Sequence, residues 1–307
     1  MTAVKPGIRL RYEAPFDWAA MLAFFGARAV PGVERLLPGA YLRTIDCAGD
    51  PAVLEMRDEP HNASLVAVLH GGTDAAPDDL ALRLRRMFDL DADIAAIATH
   101  FSRDPVLAPM VATRPAVRVP GHWDPFETAM RAVLGQQVSI ERARMLNARL
   151  VERAGRVISP ALVDGGPHRL FPAPREVLAA DLSDMGMPRA RIVALTAVAE
   201  AALADPGLFR RSATVEETVA RLCAIKGVGP WTAQYIAIRA CREPDAFPAS
   251  DVGLLRGSAD AEGRRPSPAE LTRQAEAWRP WRAYAAQHLW AHDEARTVET
   301  KRAPKGR

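Results

Sequence analysis

Lysine is nearly missing from this chain of 307 residues. Only Lys5, Lys226, Lys301 and Lys305 carry an amine, and arginine supplies the rest of the 40 basic side chains. Chemistry that runs through a lysine Schiff base therefore has few places to happen. Cysteine is scarcer still. Cys47, Cys223 and Cys241 are widely separated and form no C-x-x-C, which argues against a metal–thiolate centre or disulfide framework and for small buried apolar side chains. No apolar run approaches the length of a membrane span, and the opening MTAVKPGIRLRYEAP lacks the apolar core of a secretory signal. These absences predict a soluble, cytoplasmic protein. Neither sign of charge dominates: the net charge is +3, compatible with a nucleic-acid partner without requiring one.

Against these absences, 49% hydrophobic and 25% charged residues are ordinary globular values, and the length supports two or three domains. Ile8 to Glu13, Tyr41 to Asp46, Ala52 to Arg57 and Ser64 to Leu69 read as strands, with turn residues between the last three. Helices are predicted from Asp17 to Val30 and from Pro77 to Phe88, giving an N-terminal α+β unit over residues 1–90. From Asp91 the pattern is helical. Asp124-Pro125-Phe126-Glu127 and Ser267-Pro268-Ala269-Glu270 both read as a cap, a first-turn proline and a capping-box glutamate. The first opens a long helix that buries Phe126, Met130, Val133 and Leu134.

The stretch from Leu222 to Asp251 carries the most information. Thr214 and Glu217 mark a helix start, and Gly227-Val228-Gly229 breaks that helix. Pro230 then opens the next helix, at the turn where a missing N–H costs nothing. The amides of Gly227, Val228 and Gly229 lie at a helix N-terminus, which suits a phosphate. A Gly-x-Gly-Pro turn alone is a weak signal. Asp251, twenty residues beyond Trp231, sharpens it. Aromatic residues are only 6% of the chain, yet Trp231, Tyr235, Trp278, Trp281, Tyr284 and Trp290 crowd into its last quarter.

With KGVGPWTAQYIAIR, WRPWRAYAAQHLW, DPFETAMRAVLGQQVS, DMGMPRARI, RPAVRVPG, RRMFDL and YEAPFDWAAMLAFFGARAV in this order, the chain resembles the bacterial 3-methyladenine DNA glycosylase II family (AlkA type). That family is part of the helix-hairpin-helix DNA glycosylases, and the resemblance runs from Arg11 to about Trp290. It implies a mostly α fold with an N-terminal α+β domain. Residues 125–243 would form the helical domain with the hairpin, residues 91–124 and 244–296 a second helical domain completing the cleft, and 297–307 a disordered tail. It further implies a monomeric, cofactor-free enzyme that flips alkylated bases such as 3-methyladenine out of duplex DNA and hydrolyses their bond to the sugar.

Site residues follow by resemblance. Asp251 matches the catalytic aspartate that stabilises the oxocarbenium-like sugar and activates water; on the residues alone it is equally a helix N-cap. Trp231, Tyr235 and Trp290 fall on base-pocket positions, whereas Trp278 and Trp281 read better as core. Gly227, Val228 and Gly229 would grip the DNA backbone, and the carbonyls of Cys223, Ile225 and Val228 would hold a monovalent cation. Gln137 occupies the position of the side chain inserted into the base stack, where the family's best-known member places a leucine; capping a carbonyl inside the protein is the alternative. Val252 replaces an aromatic residue that follows the aspartate.

Two other functions compete: an oxidised-base glycosylase with strand-cutting lyase activity, and a non-catalytic protein that keeps the hairpin only to hold DNA. The lyase branch needs a lysine where this chain has Trp231, and Lys226 lies before the turn. No cysteine follows Cys241, which excludes the four-cysteine iron–sulfur cluster of the endonuclease III branch. Borohydride added during turnover should trap no protein–DNA adduct, and abasic product should stay uncut until alkali is added. A trapped adduct, resolved by gel electrophoresis, would move the chain to the lyase branch.

Overall fold

The computed structural model describes residues 7–47, 49–72, 79–158 and 162–302, with side chains as far as Thr297. The N-terminal unit is one antiparallel sheet, ordered β1-β5-β4-β3-β2. Its strands are β1 (Ile8–Arg11), β2 (Glu34–Leu37), β3 (Ala40–Cys47), β4 (Asp50–Glu59) and β5 (Ser64–Gly71). Four of the five coincide with the predicted strands to within a few residues. The short edge strand β2 was not expected; its ERLL carries no clear alternation, and pairing Leu36 with Tyr41 fixes it instead. Helices α1 (Trp18–Arg28) and α2 (Leu80–Phe88) cover one face around Phe25, Tyr41 and Phe88. The predicted start of α2 at Pro77 lies outside the described residues.

The helical part runs through α3 (Ile94–Phe101), α4 (Ala108–Thr113), α5 (Pro125–Leu134), α6 (Ile140–Ala154), α7 (Pro174–Ala179) and α8 (Arg189–Ala204). It continues with α9 (Val215–Cys223), α10 (Pro230–Ile236), α11 (Val252–Gly257), α12 (Pro268–Ala275) and α13 (Arg282–Arg302). One continuous apolar cluster from Ile94 to Leu289 joins these helices. No helix among the described residues is long and apolar enough to cross a membrane. The tail expected to be disordered from 297 instead continues α13 to Arg302, because no glycine or proline interrupts the run; residues 303–307 lie outside the described residues.

The predicted long helix from Pro125 breaks. α5 stops at Leu134, Gln137 takes a left-handed φ of 53°, and Ser139 caps a new helix by accepting from the Arg142 amide at 3.2 Å. The predicted capping box at this helix is also only half present. Asp124 accepts from the Phe126 and Glu127 amides, but the Glu127 side chain turns inward. Ser267 and Glu270 do form the reciprocal box.

Glu127 turns inward because two arginines wait there. Its carboxylate meets Arg43 from β3 at 2.8 Å and Arg131 at 2.6 Å, and Arg131 also reaches Glu34 at 2.6 Å. Tyr41 donates to the second oxygen of Glu34 at 2.6 Å. All five side chains are buried. Burial pushes the Glu127 pKa up, but Arg43 and Arg131 outweigh it, and the carboxyl ends below its ordinary value. A depressed folded pKa contributes stability that is present above the unfolded value and lost as pH falls through the folded one. Glu127→Gln leaves two guanidiniums without their shared anion and should cost about 3–5 kcal/mol in urea unfolding at neutral pH. The deficit relative to the wild type should shrink as pH falls below the ordinary carboxylate range. An unchanged midpoint at neutral pH would show that the network is not structural.

Candidate active site and its neighbouring hairpin

The hairpin joins α9 to α10. Gly227 takes φ 85°, and a Cβ there would stand 2.4 Å from the Cβ of Ala194 on α8, so both backbone and packing demand glycine. Gly229 differs from the expectation for a helix-breaking glycine. Its φ is −85°, and no atom lies within 4 Å of the place a Cβ would occupy. What its missing side chain provides is open space at the surface. The expectation that three successive amides stand unpaired fails at Val228, whose amide already donates to Ile225 O at 3.0 Å. Among the described residues the amides of Lys226, Gly227, Gly229, Trp231 and Thr232 donate to no backbone carbonyl, and these are the free donors at the turn.

Gln136 locks the α5–α6 loop to this turn. Its side-chain amide donates to Gly227 O and to Thr232 Oγ1, each at 3.0 Å, while Arg191 donates to its carbonyl at 2.7 Å. The glutamine that bonds inside the protein is thus Gln136. Gln137 is exposed and makes no side-chain hydrogen bond among the described residues. It stands on the loop beyond the end of α5 at Leu134.

Trp231, Tyr235 and Arg239 recur at four-residue intervals, so one face of α10 and the wide turn Ala237–Cys241 presents all three. Trp231 stacks on Tyr235 with centroids 5.5 Å apart, and Trp290 from α13 meets Tyr235 edge-on at 6.2 Å. Asp251 sits against the two indoles. Its Oδ2 accepts from Trp231 Nε1 at 2.7 Å; its Oδ1 accepts from Trp290 Nε1 at 2.9 Å and from the Leu254 amide at 3.0 Å. Capping α11 and facing the cleft are therefore compatible tasks for one carboxylate. α11 is itself pressed onto α13: a Cβ at Gly257 would lie 2.3 Å from Leu289 O. The three donors fix the carboxylate plane and, among the described residues, leave one lone pair of Oδ2 unengaged.

Two residues of this cleft were not foreseen. Arg239 is buried, donates to Pro120 O at 2.7 Å and to Gln287 Oε1 at 3.0 Å, and lies over Tyr235 and Trp290. Burial lowers its pKa, the Tyr235 hydroxyl opposes this, and Arg28 and Arg242 add to the lowering. The same guanidinium lies 4.7 Å from the ring of Phe24 on α1, which also stacks under Arg28 at 4.1 Å. The N-terminal unit therefore places a ring against Arg239. The W-x-x-x-Y-x-x-x-R spacing was a visible signal for Arg239; for Phe24 the sequence holds none.

The remaining aromatics sort as expected. Trp278 is fully buried and donates to Asp104 Oδ2 at 2.8 Å, and Trp281 packs edge-on against His100 at 5.2 Å. Val252, beside Asp251, is 58% exposed.

Residues 7–124 match the AlkA N-terminal domain, and residues 130–283 match the HhH-GPD superfamily base excision DNA repair proteins. DNA-3-methyladenine glycosylase 2 of Escherichia coli is 32% identical over 286 residues, covering 92% of this chain and 95% of that protein. The probable bifunctional transcriptional activator/DNA repair enzyme AlkA of Mycobacterium tuberculosis is 37% identical over 284 residues; this chain spans only 56% of its length. In fold, the 3-methyladenine DNA-glycosylase from Archaeoglobus fulgidus superposes with a TM-score of 0.81 at 20% identity, over 95% of this chain and 99% of that one. With both domains matched in order, this chain belongs to the HhH-GPD superfamily of base excision DNA repair proteins and carries the AlkA-type N-terminal domain.

Proposed function

We propose that the chain is a monofunctional DNA glycosylase of base excision repair. It acts as a cytoplasmic monomer that hydrolyses the bond between an alkylated base and its sugar in duplex DNA. The observation that carries this reading is Asp251, held by two indole N–H groups beside stacked aromatic rings with one lone pair left open. A protein that only gripped DNA would need neither the carboxylate nor the rings.

In the proposed reaction the free amides at the hairpin accept a phosphate of the damaged strand, and the lesion base rotates out of the stack into the cleft. Rings of Trp231, Tyr235 and Trp290 bind its face. As the bond to the base lengthens, the sugar gains positive charge, which the Asp251 carboxylate stabilises across the open side of Oδ2. The same oxygen orients a water that adds to the sugar carbon. Gln137, exposed on its loop beside the hairpin, fills the hole in the duplex.

A monovalent cation at the hairpin fits the carbonyls of this turn. Those of Cys223 and Val228 accept no backbone N–H among the described residues, and that of Ile225 accepts only one. Three peptide oxygens suit a hard, weakly held ion, which when bound would add positive charge where the phosphate approaches. No step of the chemistry runs through it.

Asp251→Asn keeps one oxygen for the α11 cap but removes the charge. It should lower release of free base from methylated DNA, followed chromatographically, by at least about 100-fold while abasic-site DNA still binds. Wild-type turnover in this variant would sink the mechanism. Gln137→Ala should weaken binding to abasic duplex by roughly tenfold, about the value of one stacked base contact, and slow excision, while intact duplex binds as before. Unchanged affinity for both duplexes together with normal excision would assign the filling role to another side chain.

A further inference from the structure

A full positive charge lies beneath the aromatic cleft, and the chemistry proposed above gives it no part. Arg239 is 3% exposed. Two of its nitrogens are bonded to Pro120 O and Gln287 Oε1, neither of them anionic; Nε has no partner, and no carboxylate pairs with the group among the described residues. A guanidinium does not lose its proton at neutral pH, so the charge persists. Its carbon lies 5.0 Å from the ring centroid of Tyr235 and 5.3 Å from that of Trp290. Ring faces attract a cation without neutralising it. Trp290 also donates to Asp251 at 2.9 Å, so one ring touches both the guanidinium and the carboxylate, and a base stacked on that ring would feel both.

Resting on the glycosylase reading, we propose that Arg239 is a specificity-determining residue: its charge favours neutral lesion bases, which must leave as anions, and costs affinity for cationic ones.

The electron count gives the sign. The bond from sugar carbon to base nitrogen breaks heterolytically, and its electron pair stays on the base. The sugar carbon becomes positive and is then quenched by water, whose proton passes to Asp251 or solvent. A neutral base thereby becomes an anion, later protonated by water, and a cation nearby stabilises the transition state more than the ground state. A base that is already cationic becomes neutral. Its repulsion by Arg239 weakens binding and is relieved as the bond breaks, so KM and kcat both rise and kcat/KM changes little. At about 8 Å through protein of effective dielectric ~20, one unit charge acts by on the order of tenfold or more.

The test uses two duplexes, one carrying hypoxanthine as the neutral base and one carrying 7-methylguanine as the cationic base. Wild type, Arg239→Gln, Arg239→Lys and Gln287→Glu are compared by release of free base. Gln287→Glu neutralises the charge in place, since residue 287 already touches the guanidinium at 3.0 Å. Arg239→Gln and Gln287→Glu should each lower kcat/KM for hypoxanthine roughly tenfold. For 7-methylguanine both should leave kcat/KM within about threefold while lowering kcat and KM together. Arg239→Lys should recover most of the hypoxanthine activity. Because each variant is judged by the ratio of two substrates, a partly unfolded preparation does not alter the reading. Equal losses on both substrates, an unchanged ratio, or a wild type that releases only the cationic base would overturn the proposal. A wild type that releases neither base from either duplex would overturn the glycosylase reading itself.

Discussion

Helix α5 has no free face, and the carboxylate of Glu127 in its first turn is the reason the two halves of the molecule are held in one arrangement. Arg43 reaches it from the sheet and Arg131 from the next helical turn, while Glu34 and Tyr41 complete the ring of partners. Desolvating so many charges is expensive, and apolar side chains of the same volume would fill the space at less cost. What the ions add is directionality. Apolar packing tolerates small rotations, whereas a carboxylate bonded to two guanidiniums from different elements does not. The Phe24 ring of α1 meets Arg239 of the helical part across this same junction.

Within the helical part the same economy recurs at Asp251. Its Oδ1 ends a helix and meets an indole; its Oδ2 meets a second indole, and only one direction stays open. Tryptophan suits this position because each residue supplies one N–H donor to the carboxylate. Phenylalanine would keep an aromatic face and lose the donor. The choice of tryptophan over other aromatics at 231 and 290 thus follows from the carboxylate.

Much of this was legible in the sequence, since local signals act over a few residues. The caps at Asp124, Thr214 and Ser267, the turn at Gly227 and the aspartate after it all declare themselves in spacing. The reading of Trp278 as a core residue also held: it is buried and hydrogen-bonded to Asp104. Long-range facts were hidden. Glu127 looked like half of a capping box because its true partners are 84 residues back at Arg43 and one turn on at Arg131. The break after Leu134 was hidden by a left-handed residue that is glutamine rather than glycine. The donor roles of Val228 and Gly229 could not be told apart, because a turn's hydrogen bonds depend on dihedral angles that the letters do not encode.

Gln136 ties the loop that carries Gln137 to Gly227 and Thr232, and Arg191 ties the same loop to α8. The side chain proposed to enter the duplex and the amides proposed to hold its backbone therefore move as one rigid piece. Such a tool has a fixed span. It can seat itself fully only on DNA that already bends or unstacks at the distance it imposes, and intact duplex resists that distortion more than duplex weakened by a lesion. Damage would then be sensed first as mechanical softness under a rigid gauge, before any base has reached the pocket.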